Sequence, residues 1–173
     1  YLIEISKKEK VDYTILRYFN VAGADKSKRS GLIAKSSTNL IKVICEVATK
    51  KREKIIINGD DYKTKDGTAI RDFIHVNDVV DVIMLLIDKS FNPHKYPGVF
   101  LQPSYDIGTG NGYAIDEIGT WTGHINPGSS FPVTDGDACE AQDNTADISA
   151  LQELGWNPTI DLKKYLTEKG AIV

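Results

Sequence analysis

The sequence has only two cysteines and no apolar run long enough to cross a membrane. Cys45 and Cys139 are too few for a disulfide framework, and their spacing is not that of a metal site. No apolar run approaches the about 18 residues that a transmembrane helix needs. The N-terminal residues also lack the basic-then-apolar order of a secretory signal. We therefore expect a protein of the reducing cytoplasm that has no membrane partner.

Several common functional patterns are also missing. The chain has no basic stripe with interleaved aromatic residues, so nucleic-acid binding is not indicated. It has no G-x-S-x-G string, which excludes the nucleophile turn of many hydrolases. The histidines His75, His94 and His124 are scattered, so no metal site is predicted. His75 lies in an apolar, strand-like context and is interpreted as a structural histidine.

What is present fits a folded domain of ordinary size. The chain has 173 residues, 41% of them apolar, which is enough for a hydrophobic core. Charge is unevenly spread: residues 1–100 hold 18 basic and 13 acidic groups, whereas residues 101–173 hold 3 and 11. The first residue is tyrosine rather than methionine, so we expect that the chain is a piece of something longer.

Hydrophobic periodicity predicts strands that alternate with helices, which indicates an α/β fold with some parallel strand pairing. Thr38 or Asn39 is expected to cap one helix, and Asn77 or Asp78 the next. No linker divides the chain. The predicted helices are 1–9, 40–50, 78–88, 114–121, 148–154 and 162–169; the strands are 13–18, 54–57, 69–75 and 105–107; the loops are 20–37, 90–104 and 122–146.

Three polar positions are candidates for ligand binding from the residues alone. Arg71, in the segment IRDFIHV, either pairs with the adjacent Asp72 or directs its guanidinium at an anionic ligand such as phosphate. Asn20 ends a strand and opens a glycine-containing loop, where ligands of α/β sheets bind. Asn39 is either a helix cap or part of an anion site at that helix start.

A glycine-rich string, GTGNG at 108–112, superficially resembles a dinucleotide-binding fingerprint. Its third glycine follows the second by two residues rather than three. We interpret it as a turn between a strand and a helix, with phosphate cradling as the less favoured alternative.

Taken in order, five motifs resemble the UDP-glucose 4-epimerase family, within the NAD-dependent epimerases and dehydratases of the extended short-chain dehydrogenase/reductase group. The combination GDDY-x-T-x-DGT-x-IRDFIHV-x-D is the most specific. The resemblance implies the C-terminal part of a Rossmann-type enzyme with its small substrate-binding region. The motifs are LRYFNVAGAD (16–25), TNLIKVICEVA (38–48), IIINGDDYKTKDGTAIRDFIHVNDVVD (55–81), YDIGTGNGY (105–113) and ELGWNP (153–158).

The family reaction requires a catalytic tyrosine–lysine pair and a glycine fingerprint for NAD, and neither is found at the required place in this chain. Bound NAD takes a hydride from C4 of the sugar and returns it to the other face, while the tyrosine of a Y-x-x-x-K pair acts as the base. Neither that pair nor a Rossmann glycine fingerprint precedes RYFN in this chain. The resemblance therefore places the catalytic pair upstream of Tyr1. We expect no turnover from the isolated chain.

The resemblance also implies a division of the chain and an assembly. Residues 1–20 match the last helix turns and a strand of the Rossmann domain, and residues 21–173 match mainly the UDP-sugar-binding region. Family members are commonly homodimers, so a homodimer is an expectation for the full-length enzyme. NAD is its expected cofactor and a UDP-sugar its expected substrate.

Individual site residues carry over from the family by position. Tyr18 matches a residue near the nicotinamide of NAD. Arg71 matches the arginine that binds the diphosphate, and Asn20 the asparagine of the diphosphate and sugar region. The other matches are Asn39 and Leu40 at the helix start beneath the diphosphate, Ile56 and Asn58 flanking the uracil, and Asp137 near the uridine ribose.

The chain departs from the family pattern just before Asp137. Thr134 stands where the family has an arginine, and residues 129–147 carry five acids and no base. Loss of one charge-assisted phosphate contact costs about 1.5–3 kcal/mol. Two alternatives therefore stay open: another nucleotide-sugar epimerase or dehydratase, or a non-catalytic remnant that binds no nucleotide.

Overall fold

A computed structural model describes residues 1–25, 27, 29–35, 37–57, 59–121 and 142–168. Helices and strands alternate along it, which confirms the predicted α/β class. The helices are α1 Leu2–Glu9, α2 Leu40–Ala48, α3 Val76–Phe91, α4 Ile115–Trp121, α5 Ser149–Glu153 and α6 Leu162–Glu168, with a 3-10 turn at Pro93–Lys95; the strands are β1 Ile15–Tyr18, β2 Asn20–Ala22, β3 Ile70–His75, β4 Ser104–Ile107, β5 Gly112–Ala114 and β6 Asp143–Asn144.

The strands form two sheets. In the first, β1 pairs in parallel with β4, so that Tyr18 lies opposite Ile107. In the second, β3 is the central strand: it pairs in parallel with β2 and β6 and antiparallel with β5. The chain passes from β3 directly into α3, so this helix begins at the end of the second sheet and leads back towards β4 of the first.

Helix α3 joins the two sheets through its apolar face. Val79, Val82 and Leu86 recur at helical spacing and are buried in one hydrophobic cluster with Ile74 of β3 and Ile107 of β4. A second cluster packs the apolar face of α2 against Phe73, Ile118 and Leu166. The two clusters lie on either side of β3, because successive side chains of a strand point to opposite faces. The strand that carries Arg71 is therefore held from both sides.

The predicted cap of α3 is wrong. The helix begins one residue after His75, whose Nδ1 accepts a hydrogen bond from the N–H of Asn77 at 3.1 Å. His75 is buried and packs edge-on against Tyr165, with ring centroids 4.5 Å apart, so its interpretation as a structural histidine is confirmed. Gly23 allows this packing because a Cβ there would lie 2.2 Å from the His75 ring.

Asp78, the other expected cap, instead binds the backbone of a segment that is distant in sequence. Its carboxylate is fully buried and accepts hydrogen bonds from the N–H and Oγ1 of Thr159, at 3.2 and 2.6 Å, and from the N–H of Ile160 at 3.1 Å. These bonds fasten the segment before α6 to the first turn of α3. A buried carboxylate that is held by several donors avoids most of the desolvation penalty of burial.

The strand predictions are wrong in several short segments of the chain. Residues 54–57 were expected to form a strand, but they join no ladder among the described residues, although Ile55 is buried. Conversely, β2 lies within the predicted loop 20–37, and β5 and β6 were not predicted. Strands of two or three residues are too short to show an alternating pattern, so their pairing with β3 depends on tertiary contacts.

No helix in the described part of the chain combines the length and the apolar character needed to cross a membrane.

Candidate functional site

The candidate site is built around β3, where Arg71 and Asp72 are neighbours in sequence. Their side chains leave opposite faces of the strand because side chains alternate along it. Arg71 is half-buried, whereas Asp72 is completely buried. The Asp72 carboxylate is held by donors from a distant turn, so a local Arg71–Asp72 pair is not what orders this strand.

The turn that follows β4 supplies those donors. Asp72 accepts hydrogen bonds from the N–H of Thr109 at 2.9 Å, from its Oγ1 at 2.7 Å and from the N–H of Gly110 at 2.9 Å. A fourth donor is the N–H of Ala146 at 3.2 Å. The backbone amides of the GTGNG string are thus directed at a carboxylate of the same chain. The structure favours the interpretation of this string as a structural turn rather than as a phosphate cradle.

Glycine is needed in this turn because the backbones approach closely. A Cβ at Gly108 would lie 2.4 Å from the Cβ of Ala146 and 2.6 Å from Oδ2 of Asp72. A Cβ at Gly112 would lie 2.4 Å from Cγ2 of Ile70. The absent side chains at these glycines therefore let the turn lie directly against β3.

The carbonyl oxygens of β3 hold two of the expected ligand-binding side chains. Nη1 of Arg71 donates to the carbonyl of Ile70 at 2.8 Å, and Nδ2 of Asn20 donates to the carbonyl of Asp72 at 3.1 Å. Carbonyls two residues apart point to the same edge of a strand. They are separated by about 6.6 Å, which is two residue rises. The structure therefore brings the polar groups of Arg71 and Asn20 to one strand edge.

Asn39 acts as the cap of α2. Its Oδ1 accepts a hydrogen bond from the N–H of Lys42 at 3.2 Å, which confirms the expected cap. Its Nδ2 lies 3.5 Å from the carbonyl of Val21, in the strand that begins with Asn20. Leu40 is the first residue of the helix and packs against the core cluster beneath it. Asn39 therefore connects the start of α2 to β2, beside Asn20.

The remaining expected site residues are less enclosed. Tyr18 ends β1 with 51% of its surface exposed, and Ile56 is 53% exposed after the buried Ile55. Among the described residues, no hydrogen bond or ion pair joins Arg71 to the side chain of either residue. Asn58 and Asp137, together with the departure at Thr134, lie outside the described residues.

Tyr113 lies opposite Arg71 across the β3–β5 ladder. Burial raises the pKa of its phenol, and the negative charges of Asp161, Glu117 and Asp72 raise this pKa further. The ring packs edge-on against Trp121, with centroids 5.2 Å apart. Tyr113 is therefore an uncharged side chain whose packed ring lies beside the strand that carries Arg71.

The described residues offer no cradle for the pyrophosphate of NAD. Asp72 already occupies the amides of the GTG turn, so these N–H groups do not fit a dinucleotide. The sequence contains one Y-x-x-x-K string, from Tyr165 to Lys169, and Tyr165 packs edge-on against the buried His75. Within the described ranges, no three His, Cys, Asp or Glu residues form a group that could hold a metal.

The hydrogen bonds between Asp72 and Thr109 were not predicted from the sequence. The alternation in IRDFIHV places Asp72 on the face opposite Arg71, which was the available signal. Nothing in the local sequence indicates that the partner of Asp72 lies 37 residues later.

Comparison with known proteins agrees with the fold. The profile of the NAD dependent epimerase/dehydratase family matches residues 1–99. The UDP-glucose 4-epimerase of Halalkalibacterium halodurans is 33% identical over 152 residues, which cover 86% of this chain and 43% of that protein. A crystal structure of a UDP-glucose 4-epimerase matches 98% of this chain and 51% of its own, with 35% identity and a TM-score of 0.78.

A second solved structure carries ligands. It is the UDP-glucose 4-epimerase of Stenotrophomonas maltophila with bound NAD and formylated UDP-arabinopyranose, which matches 94% of this chain and 48% of its own. Its identity is 31% and its TM-score 0.76. The chain thus spans about half the length of these relatives. With the family profile matched over more than half of its residues, this chain belongs to the NAD-dependent epimerase/dehydratase family.

Proposed function

We propose that the chain is the UDP-sugar-binding part of a UDP-glucose 4-epimerase, an isomerase that interconverts UDP-glucose and UDP-galactose. One observation carries the proposal: the polar groups of Arg71 and Asn20 are held at one edge of β3, with Asn39 beside them at the start of α2. The relatives named above are similar in sequence across most of this chain.

Arg71 is the side chain suited to the diphosphate. A guanidinium is planar and always charged, and it meets phosphate oxygens with two parallel N–H groups. Asn39 lies at the N-terminus of a nine-residue helix, where the helix dipole also favours an anion. Its Oδ1 accepts the capping hydrogen bond, and its Nδ2, which donates one N–H to the carbonyl of Val21, has a second N–H that would donate to a phosphate oxygen. Asn20 would contact the diphosphate and the adjoining sugar.

The other expected residues complete the proposed site. Leu40 would lie beneath the diphosphate at the start of α2, Ile56 and Asn58 would flank the uracil, and Asp137 would lie near the uridine ribose. Tyr18 matches a family residue near the nicotinamide of NAD and would face it from the exposed end of β1. NAD supplies the hydride acceptor of the family reaction. The described residues of this chain hold no pyrophosphate cradle, because Asp72 occupies the amides of the GTG turn.

We also propose that the 173-residue chain alone has no epimerase activity. It contains no Rossmann glycine fingerprint and no Y-x-x-x-K pair before RYFN. An assay with NAD and UDP-galactose should therefore yield no UDP-glucose, and turnover in this assay would contradict the proposal. Calorimetric titration with UDP tests the binding part of the proposal directly, and there a heat of binding is expected.

Two alternatives make different predictions. Another nucleotide-sugar epimerase or dehydratase would prefer a different member of a panel of UDP- and dTDP-sugars when the full-length enzyme is assayed. A non-catalytic remnant would bind no UDP at all. Thr134 and the acidic stretch at 129–147 favour this remnant, since they place carboxylates where the family has a cation.

A further inference from the structure

Asp72 contacts the candidate site residue Asn20 through its backbone, and it binds distant segments of the chain through its side chain. Its carbonyl accepts the hydrogen bond from Nδ2 of Asn20, which fixes the direction of that amide. Its carboxylate meanwhile anchors Thr109, Gly110 and Ala146 to the other side of the strand. One residue thus connects Asn20 to two segments that are distant in sequence.

Arg71 depends on the same stretch of strand. It precedes Asp72, and its guanidinium is bonded to the carbonyl of Ile70. The N–H of Ile70 donates at 2.9 Å to the carbonyl of Gln142, in the segment that also contains Ala146. A shift of the backbone at Asp72 would therefore move the carbonyls that hold both Arg71 and Asn20. Binding groups need to be held to about 0.5 Å by their surroundings for a ligand to meet them together.

We propose that Asp72 is a positioning residue for UDP-sugar binding. It touches no ligand itself, and it acts by fixing the part of β3 whose carbonyls hold Arg71 and Asn20. The inference rests on the proposed function, since it assumes that these two side chains bind the nucleotide sugar.

The chain contains a matched control for this proposal. Asp78 is also completely buried, and it accepts the N–H and Oγ1 of one threonine, Thr159, and the N–H of the next residue. Asp72 makes the same three bonds with Thr109 and Gly110. The carboxylate of Asp78 binds the segment before α6, and no described hydrogen bond joins Asp78 to Asn20 or Arg71. A purely structural effect should therefore be similar in both places.

The experiment compares Asp72→Asn with Asp78→Asn in the 173-residue chain. Both variants should lower the thermal unfolding temperature, because each directs an amide group at backbone donors. UDP affinity is then measured by calorimetry at a temperature at which circular dichroism shows that all variants are folded. We expect Asp72→Asn to weaken UDP binding about tenfold, as loss of one charge-assisted contact would, and Asp78→Asn to leave it unchanged.

A milder pair keeps the test valid if the carboxylate variants do not fold. Thr109→Val removes the hydroxyl donor to Asp72, together with the bonds of that hydroxyl to Asn111 within the turn, and it keeps the backbone donors to Asp72. Thr159→Val removes the hydroxyl donor to Asp78 and keeps the backbone donors there. The first should weaken UDP binding and the second should not. In the Asp72→Asn background, Asn20→Ala should also cost less affinity than it does in the unchanged chain.

Each outcome decides between the proposals. If the unchanged chain binds UDP and the Asp72 and Thr109 variants bind it equally well, the positioning role is wrong. Equal losses of UDP affinity in the Asp72 and Asp78 variants would also contradict it, because they would reflect a loss of stability alone. If the unchanged chain binds no UDP, the proposed function fails, and the inference that depends on it fails as well.

Discussion

Thr109 donates both its N–H and its Oγ1 to the carboxylate of Asp72, at 2.9 and 2.7 Å. This pair closes a turn against the central strand of the second sheet. Phosphate cradling was the less favoured interpretation of the GTGNG string, and the anion that its amides bind here is a carboxylate of the same chain. The backbone amides of Thr109 and Gly110 thus hold the strand that carries Arg71.

Replacement of Arg71 by alanine should weaken UDP binding ten- to hundredfold. The expected loss is about 1.5–3 kcal/mol, the contribution of a hydrogen bond to a charged group. Calorimetric titration of the 173-residue chain with UDP measures it. Arg17→Ala is the matched control, because Arg17 is an exposed arginine whose ion pair with Asp106 lies in the other sheet. UDP binding that is indifferent to Arg71 would exclude the proposed diphosphate site.

Two substitutions of Asn39 separate its capping role from its proposed binding role. Asn39→Ala should remove both and lower the stability of the chain by about 1 kcal/mol, the usual value of an N-cap. Asn39→Ser keeps an oxygen that can accept from Lys42 but lacks the amide donor. Thermal unfolding should therefore change little in the serine variant, while UDP affinity falls in both. A serine variant with full UDP affinity would leave Asn39 as a cap only.

The sequence predicted the long elements of the fold well. Helix α3 and strand β3 were expected nearly where they lie, because their apolar residues follow clear helical and strand patterns. The cap of α3 was missed because histidine is not among the usual capping residues, and its role depends on burial beneath Gly23. The short strand β2 was missed because its three residues pair with β3 only in the folded chain.

The residues of the candidate site were predictable from the sequence, but most of their contacts were not. Arg71 and Asn20 could be singled out because a cation in an apolar strand and an amide at a strand end are conspicuous. The attachment of Asn20 to the carbonyl of Asp72 could not be predicted, since it depends on the register of β2 against β3. The role of Asp72 likewise depends on a turn that reaches it from another sheet.

A pH-dependent contribution to stability is expected at the end of α3. The pKa of Asp88 is lowered, mainly by a hydrogen bond from the Tyr96 hydroxyl and also by Asn92 and Lys95. A lowered pKa in the folded state stabilises the chain above the unfolded pKa of about 3.9, and this stabilisation is lost as the pH falls through the folded value. Tyr96→Phe should raise the pKa of Asp88 towards its ordinary value.

Nuclear magnetic resonance titration of the Asp88 carboxyl measures this shift directly. Tyr1→Phe serves as the control, because Tyr1 is exposed and lies far from Asp88 in the sequence. The unfolding temperature of the Tyr96→Phe variant should also fall less steeply below about pH 4 than that of the unchanged chain. An unchanged Asp88 titration in that variant would contradict the role of the Tyr96 hydroxyl.

Restoring the arginine that the family has at position 134 should strengthen UDP binding. Thr134→Arg would return a second guanidinium to the diphosphate and offset the five acids of residues 129–147. The gain expected from one charge-assisted contact is about tenfold or more in affinity.

Thr134→Gln is the control, since it lengthens the side chain without charge. A gain with arginine alone, absent in 0.5 M salt, would support a retained diphosphate site, because salt at this concentration screens exposed charges beyond about 4–5 Å. No gain in either variant would mean that the segment around Asp137 no longer contacts the diphosphate, which would favour the non-catalytic remnant.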